Sequence, residues 1–220
     1  MPAVFGTVST LRLMYSLDLS ILYFFNRTIA CGFLDAFFDA ITNVHYWMPV
    51  YVLAGIVLIY RFRLRGVWMV LAAVLVVSMT DSLGHYVFKP MVHRVRPCNT
   101  VSWIRLPDGS RGDESFPSNH ALNNVAIAMF FYTIWPKKKN AWWLFVVALL
   151  ISLGRMYQGL HYPSDVLGGA AIGCAIGYVA GFIFNKFFHP ISAPPDRAVR
   201  IRSHPAVGSL RRDRGGPFRE

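Results

Sequence analysis

The sequence predicts an all-α fold: a polytopic membrane helical bundle of about six transmembrane helices, with an interfacial helix near the N-terminus. Three observations carry this. Of 220 residues, 55% are hydrophobic and only 15% charged, against about a quarter charged in an ordinary soluble domain. The apolar residues come in blocks that approach or exceed the roughly 20 residues needed to cross a bilayer. The basic residues fall between those blocks and in the last stretch of the chain, as membrane topology requires.

Taken in order, the first segment, Leu13 to Ile29, is interrupted by Asp18 and Asn26. It either spans or lies in the interface, and spanning is favoured. FLDAFFDAIT (33–42) places acidic and aromatic residues at helical spacing and reads as an interfacial helix. Spanning helices are expected over Tyr46–Tyr60, Val67–Phe88, Ala121–Trp135, Ala141–Tyr157 and Val166–Phe188. From Pro190 the chain turns rich in Arg, Pro and Gly without apolar periodicity, which divides it into a membrane domain (1–189) and a basic tail (190–220). The tail is expected to be disordered and held against anionic headgroups by charge.

Charge fixes the orientation. Arg61, Arg63 and Arg65 follow one helix, Lys137, Lys138 and Lys139 follow another, and Lys186 with seven arginines fills the C-terminal part. The positive-inside rule puts these on the cytoplasmic side and leaves loops 89–116 and 158–165 on the outer face. Loop 89–116 is itself basic, with Lys89, Arg94, Arg96, Arg105 and Arg111. Positive charge held against the insertion bias suggests use.

Other classes fit less well. A net charge of +11 raises nucleic acid as a partner, but its placement suits a membrane surface. Cys31, Cys98 and Cys174 are scattered and odd in number, so neither a disulfide framework nor a zinc knuckle is expected. The N-terminus shows no removable signal-peptide pattern, and no internal repeat stands out.

Ionisable residues at membrane depth are costly and call for a reason. Asp81, His85 and Lys89 recur every fourth residue, on one helix face, and Lys89 opens the run KPMVHRVRP that ends in Arg96 and Pro97. FPSNH (116–120) stands immediately before an apolar helix, where Pro117 and Ser118 suit a helix start and free N–H groups favour phosphate; His120 is within reach of a group held there. GRMYQGLHYPSD (154–165) carries Arg155, His161 and Asp165. The four-residue spacing lets the carboxylate accept a proton from one imidazole nitrogen and leave the other with its lone pair outward. The topology brings all three clusters to one face, with two histidines, a carboxylate and three cations, a set suited to phosphoryl transfer. Two other readings stay open: a metal site of His120, His161 and Asp165, which has no use for the adjacent cations, and a transport pathway through Asp81 and His85.

These residues and spacings resemble the type 2 phosphatidic acid phosphatases, relatives of the vanadium haloperoxidases, over roughly residues 13–188. The motif K-x6-R-P is matched by Lys89 to Arg96-Pro97, P-S-G-H by Pro117-Ser118-Asn119-His120, and S-R-x5-H-x3-D by Gly154-Arg155, His161 and Asp165. Asn119 stands where the motif has glycine, and Gly154 where it has serine. The resemblance implies a metal-independent hydrolase of a lipid phosphomonoester or diphosphate, without a cofactor. His161 would form a phosphohistidine, Asp165 would orient it, and His120 would protonate the leaving oxygen and later activate water. Lys89, Arg96, Ser118, Asn119 and Arg155 would bind the phosphate, with Asp81 and His85 supporting Lys89. The first substrate expected is undecaprenyl diphosphate, in a bacterial inner membrane with the site facing the periplasm. Lipid A 1-phosphate, phosphatidylglycerophosphate, phosphatidate, and transfer to a lipid acceptor are the alternatives.

Overall fold

The computed structural model describes residues 2–106, 112, 114–135 and 141–188, with side chains from residue 12 onward. The basic tail, the Lys137–Lys139 run and Arg111 lie outside the described residues.

The first helix, α1 (Pro2–Tyr23), ends in a π turn over Phe24–Thr28. The chain then bends by 114° into α2 (Gly32–Thr42), which turns inward Phe38 and Thr42 while leaving Phe33 outside. Asn43 caps α3 (Val44–Phe62), accepting from the His45 N–H at 3.0 Å. None of the residues of α3 is buried, and its Val, Ile, Leu and Tyr side chains other than Leu58 are exposed; such a helix belongs in lipid. Arg63, at φ 54°, reverses the chain into α4 (Leu64–Leu83). Gly66 permits the tight hairpin, since a Cβ there would stand 2.2 Å from the Leu58 carbonyl oxygen.

After a π turn over Gly84–Phe88, α4 runs on into the single turn α5 (Lys89–Val92), and His93 in the left-handed region ends it. Another single turn, α6 (Pro97–Thr100), follows. Val95 pairs with Glu114 in an isolated antiparallel bridge, and Ser115 N–H donates to the Arg94 carbonyl at 2.7 Å, closing the base of the long loop. The remaining helices are α7 (Asn119–Ile134), α8 (Trp143–Tyr157) and α9 (Pro163–Phe187).

Lipid tails are as apolar as leucine, so close helix packing in a membrane needs small residues at the contact. In α9 these are Gly169, Gly173, Gly177 and Gly181, one per turn. A Cβ at the first three would lie 2.6, 2.3 and 2.2 Å from the carbonyl oxygens of Ser118, Leu122 and Ala126 on α7. The core lies around it: Met69, Val76, Ala126, Phe130, Ile134 and Phe184 toward one end, Leu22, Ala121, Met156, Tyr162 and Val166 toward the other.

The helices fall where the apolar blocks predicted, with one difference. By length and composition, Val44–Phe62, Leu64–Val92 and Pro163–Phe187 can each cross a bilayer, and the pair Arg12–Thr28 plus Gly32–Thr42, bent by 114°, is either one broken span or a re-entrant loop. At 16 and 15 residues, α7 and α8 reach only about 24 and 22 Å, less than the roughly 30 Å of a hydrocarbon core. In α7 part of the shortfall comes from Asn119, His120, Asn123 and Asn124, which open the helix on polar side chains.

Candidate active site

The three sequence clusters meet at the end of the bundle opposite the Arg61–Arg65 turn. Their anchor is a buried polar scaffold. Asn26, fully enclosed in the first π turn, donates to the carbonyls of Arg105 and Tyr157, each at 2.7 Å, and accepts from the Arg105 N–H at 2.8 Å. Arg105 pairs with Asp35, which also accepts from the Tyr157 hydroxyl at 2.6 Å. These bonds hold the end of α8. Gly159 then takes φ +73°, a conformation suited to glycine, and turns the chain so that His161 faces inward.

His161 is 2% exposed. Its Nδ1 lies 2.8 Å from the Ser115 carbonyl, so this nitrogen carries the proton, and Nε2 is left with its lone pair. This corrects the expectation that Asp165 would accept that proton, since the nearest Asp165 oxygen is 3.8 Å away, beyond a hydrogen bond. Asp165 is instead engaged at the start of α9, where Oδ2 accepts from the Tyr162 N–H at 2.8 Å and Oδ1 from Arg94 at 2.6 Å. Burial first, and then the Arg96 guanidinium, hold the His161 pKa down to about 4, against the opposing influence of Asp165. The imidazole is therefore neutral at neutral pH, the form a nucleophile requires.

Arg94 and Asp18 belong to this site although neither was among the residues singled out for it. Arg94 bonds Asp165, Asp18 (2.7 Å) and the Ser164 hydroxyl (2.6 Å), and its guanidinium lies 4.0 Å over the Tyr162 ring. Asp18 accepts from the Ser164 N–H at 2.9 Å and from its hydroxyl. The signal was present: a carboxylate inside an apolar helix, paired with nothing nearby in sequence.

Of the three cations, Arg96 and Arg155 each lie within electrostatic range of Lys89. Arg96 donates to the Leu160 carbonyl at 2.9 Å and faces His161 Nε2 at 3.1 Å. Arg155 donates to Gln158 Oε1 at 2.9 Å, and Gln158 in turn donates to the Thr42 hydroxyl at 3.0 Å. Lys89 lies within electrostatic range of Arg96, Arg155, Asp81 and Glu114. Like charges gathered around an open space attract an anion.

Opposite them is the start of α7. Ser118 is fully buried and its Oγ has no hydrogen-bond partner among the described residues. An orphaned buried hydroxyl costs about 1–3 kcal/mol, a cost a phosphate oxygen would remove. His120 lies against the Thr42 backbone, within electrostatic range of His161, Arg96 and Arg155. Asn119 Nδ2 donates to Asp81 Oδ1 at 3.0 Å, joined there by Asn123 Nδ2 at 3.1 Å. Gly84 makes room, because a Cβ there would stand 2.5 Å from Asn119 Oδ1. His85 is exposed, with its ring edge-on to Tyr86, and makes no hydrogen bond to Lys89 or Asp81 among the described residues.

Gly154 also finds its reason. A Cβ at this position would press 2.6 Å against Thr42 and 3.1 Å against Phe38. The chain exchanges the motif hydroxyl for closer packing of α2, and Gln158 and Thr42 hold Arg155 in its place.

From His120 a cavity of about 500 Å³ opens between α3, α4 and α7. Its near end carries Thr42, Asp81, Asn119 and Asn123; its depth is lined by Tyr51, Leu58, Val70, Val74, Ile127 and Phe131. Among the described residues no three His, Cys, Asp or Glu side chains gather as metal ligands would, and Asp165 has both oxygens engaged elsewhere.

The chain is similar to several known proteins. A lipid A 4'-phosphatase of Bacteroides thetaiotaomicron is 31% identical over 182 residues, covering 80% of each chain. An undecaprenyl-diphosphatase of Sulfolobus acidocaldarius is 27% identical, over 76% of this chain and 77% of its own. The crystal structure of a PAP2-type phosphatidylglycerolphosphate phosphatase from Bacillus subtilis superposes with a TM-score of 0.58 at 25% identity, covering 80% of this chain and 88% of that one. Residues 66–188, which contain all three clusters and the glycine seam, match the PAP2 superfamily, and the chain belongs to it.

Proposed function

We propose that this chain is a membrane lipid phosphatase that works through a phosphohistidine on His161. The observation that carries the reading is the state of that imidazole: neutral, with Nδ1 pinned to a carbonyl and Nε2 facing a cluster of cations. The phosphate of the lipid sits among Lys89, Arg96, Arg155 and the Ser118 hydroxyl. Nε2 attacks phosphorus, the bond to the lipid oxygen breaks, and that oxygen takes a proton from His120. Water then gives its proton to His120 and attacks the phosphohistidine, releasing inorganic phosphate and restoring both imidazoles. Asp165 acts at a distance: it fixes the loop and favours the positive charge that develops on the ring. The cations neutralise the equatorial oxygens, where most of the rate in phosphoryl transfer arises.

The site faces the outer side of a bacterial inner membrane, because the basic turn at Arg61–Arg65 lies at the other end. For the substrate, the 31% identical lipid A 4'-phosphatase supports a lipid A phosphomonoester. The Sulfolobus relative supports the second reading, undecaprenyl diphosphate.

The test is phosphate release by the purified protein from lipid A, undecaprenyl diphosphate and phosphatidylglycerophosphate. Wild type should release phosphate with EDTA present and be inhibited by vanadate, while H161A and H120A should each lose at least about a thousandfold. Labelled phosphate recovered in a second lipid would replace hydrolysis by transfer. Undiminished turnover in H161A would reject the nucleophile.

A further inference from the structure

The lipid tail is always attached to the leaving oxygen, so whatever links phosphate to tail passes His120 on its way into the groove. The cavity wall that carries His120 also carries Asp81. Asp81 lines the cavity together with Asn119, His120 and Asn123. Its Oδ1 is satisfied twice, by the Asn119 and Asn123 amides. Its Oδ2 accepts nothing among the described residues, and the side chain is exposed to the cavity. Asn123 Oδ1, on the same wall, is also a buried acceptor with no partner among the described residues. This stretch of wall therefore offers acceptors in excess of donors, one of them charged.

We propose that Asp81 determines specificity by reading the group that bears the leaving oxygen. It favours an alcohol that carries hydroxyl or amide donors beside the ester oxygen, as a sugar or glycerol does. It disfavours a leaving group that is itself a phosphate. The chemistry differs only in what departs. From a phosphomonoester the departing oxygen belongs to a neutral alcohol once His120 has protonated it, and neighbouring donors satisfy Asp81 Oδ2. From a diphosphate the terminal phosphoryl group goes to His161 and the departing species is a lipid monophosphate, whose negative charge must sit next to the Asp81 carboxylate. Like charges at close range repel, Lys89 in electrostatic range of Asp81 offsets part of that, and the buried Asn123 Oδ1 has no donor to meet in an anion. The inference rests on the lipid phosphatase reading above and narrows it to glycolipid or glycerolipid phosphomonoesters.

The experiment compares kcat/KM for phosphate release from lipid A and from undecaprenyl diphosphate, using the full chain in one detergent, for wild type and D81N. Asparagine keeps the size of the side chain and an oxygen for the two amides, and removes the charge. Wild type should prefer lipid A by at least about tenfold. In D81N the ratio of the two kcat/KM values should move at least about tenfold toward the diphosphate. A purely structural role for Asp81 would lower both values together and leave the ratio unchanged, which overturns the proposal, as does a wild-type preference for the diphosphate. That preference is read without any variant, so poor folding of D81N does not remove the test. Release from neither lipid overturns the phosphatase reading and this inference with it. Release from both at an unshifted ratio overturns the inference alone.

Discussion

Replacing Arg94 with methionine removes a guanidinium that joins two carboxylates from distant parts of the chain. Asp165 is 0% and Asp18 8% exposed at the side chain, at 2.6 and 2.7 Å from Arg94. Removing one partner of a buried ion pair costs about 3–5 kcal/mol, because the remaining charge is left uncompensated. The Arg94 side chain is 25% exposed, so water screens part of this and the lower end, about 3 kcal/mol, is expected. For a chain of this length that corresponds to a fall in Tm on the order of 6–12 °C. Activity should fall as well: Asp165 keeps only the Tyr162 N–H, the His161 loop loses register, and small displacements of reacting groups cost up to about a hundredfold. The assay is thermal unfolding in detergent together with kcat. The double variant D18N/R94M carries one fewer orphaned carboxylate and should recover at least about half of the lost stability. An R94M protein with unchanged Tm and kcat, or a double variant no better than the single, would refute the reasoning.

Two more outcomes follow from the site. The His161 pKa of about 4, below the ordinary 6.5, means the neutral form is complete above about pH 5 and falls roughly tenfold per unit below pH 4; the acid limb of single-turnover phosphoenzyme formation should lie there. The same depression makes the unfolded chain bind the proton first, so this residue's contribution to stability is lost as pH falls from 6.5 toward 4, which acid titration of unfolding reads. G154S restores the family motif yet should lower kcat by about tenfold and raise KM, since its side chain collides with Thr42, the residue that seats Gln158 and through it Arg155; equal or better turnover would show that the serine fits after all.

Much of this site was legible because each cluster is local in sequence. His161 stands four residues before Asp165 at the start of α9, and Lys89 and Arg96 share one basic run, so spacing together with the family resemblance pointed to them. The partner of His161 Nδ1 was not legible, because a backbone carbonyl at Ser115 has no sequence signature. The Asp18–Ser164 bonds join residues 146 positions apart, and nothing local to Asp18 names its partner; only the cost of a carboxylate in an apolar helix pointed to one. The four-residue glycine repeat in α9 was readable from the sequence by the same packing rule that explains it in the structure. The bend after Thr28 was less so, since its composition suits both a spanning and an interfacial helix.

The glycine seam has a mechanical consequence. Backbone meets backbone along α7 and α9 with no side chain between them to yield, so Ser118 and His120 on one helix and Asp165 on the other travel as a single stiff body. Whatever parts to admit a lipid from the bilayer must then be on the other wall. That wall includes α3, which has no buried residue and meets the core only through Leu58 and Phe62 near its end. A crosslink clamping α3 to α4 should lock the enzyme shut, while one clamping α7 to α9 should go unnoticed.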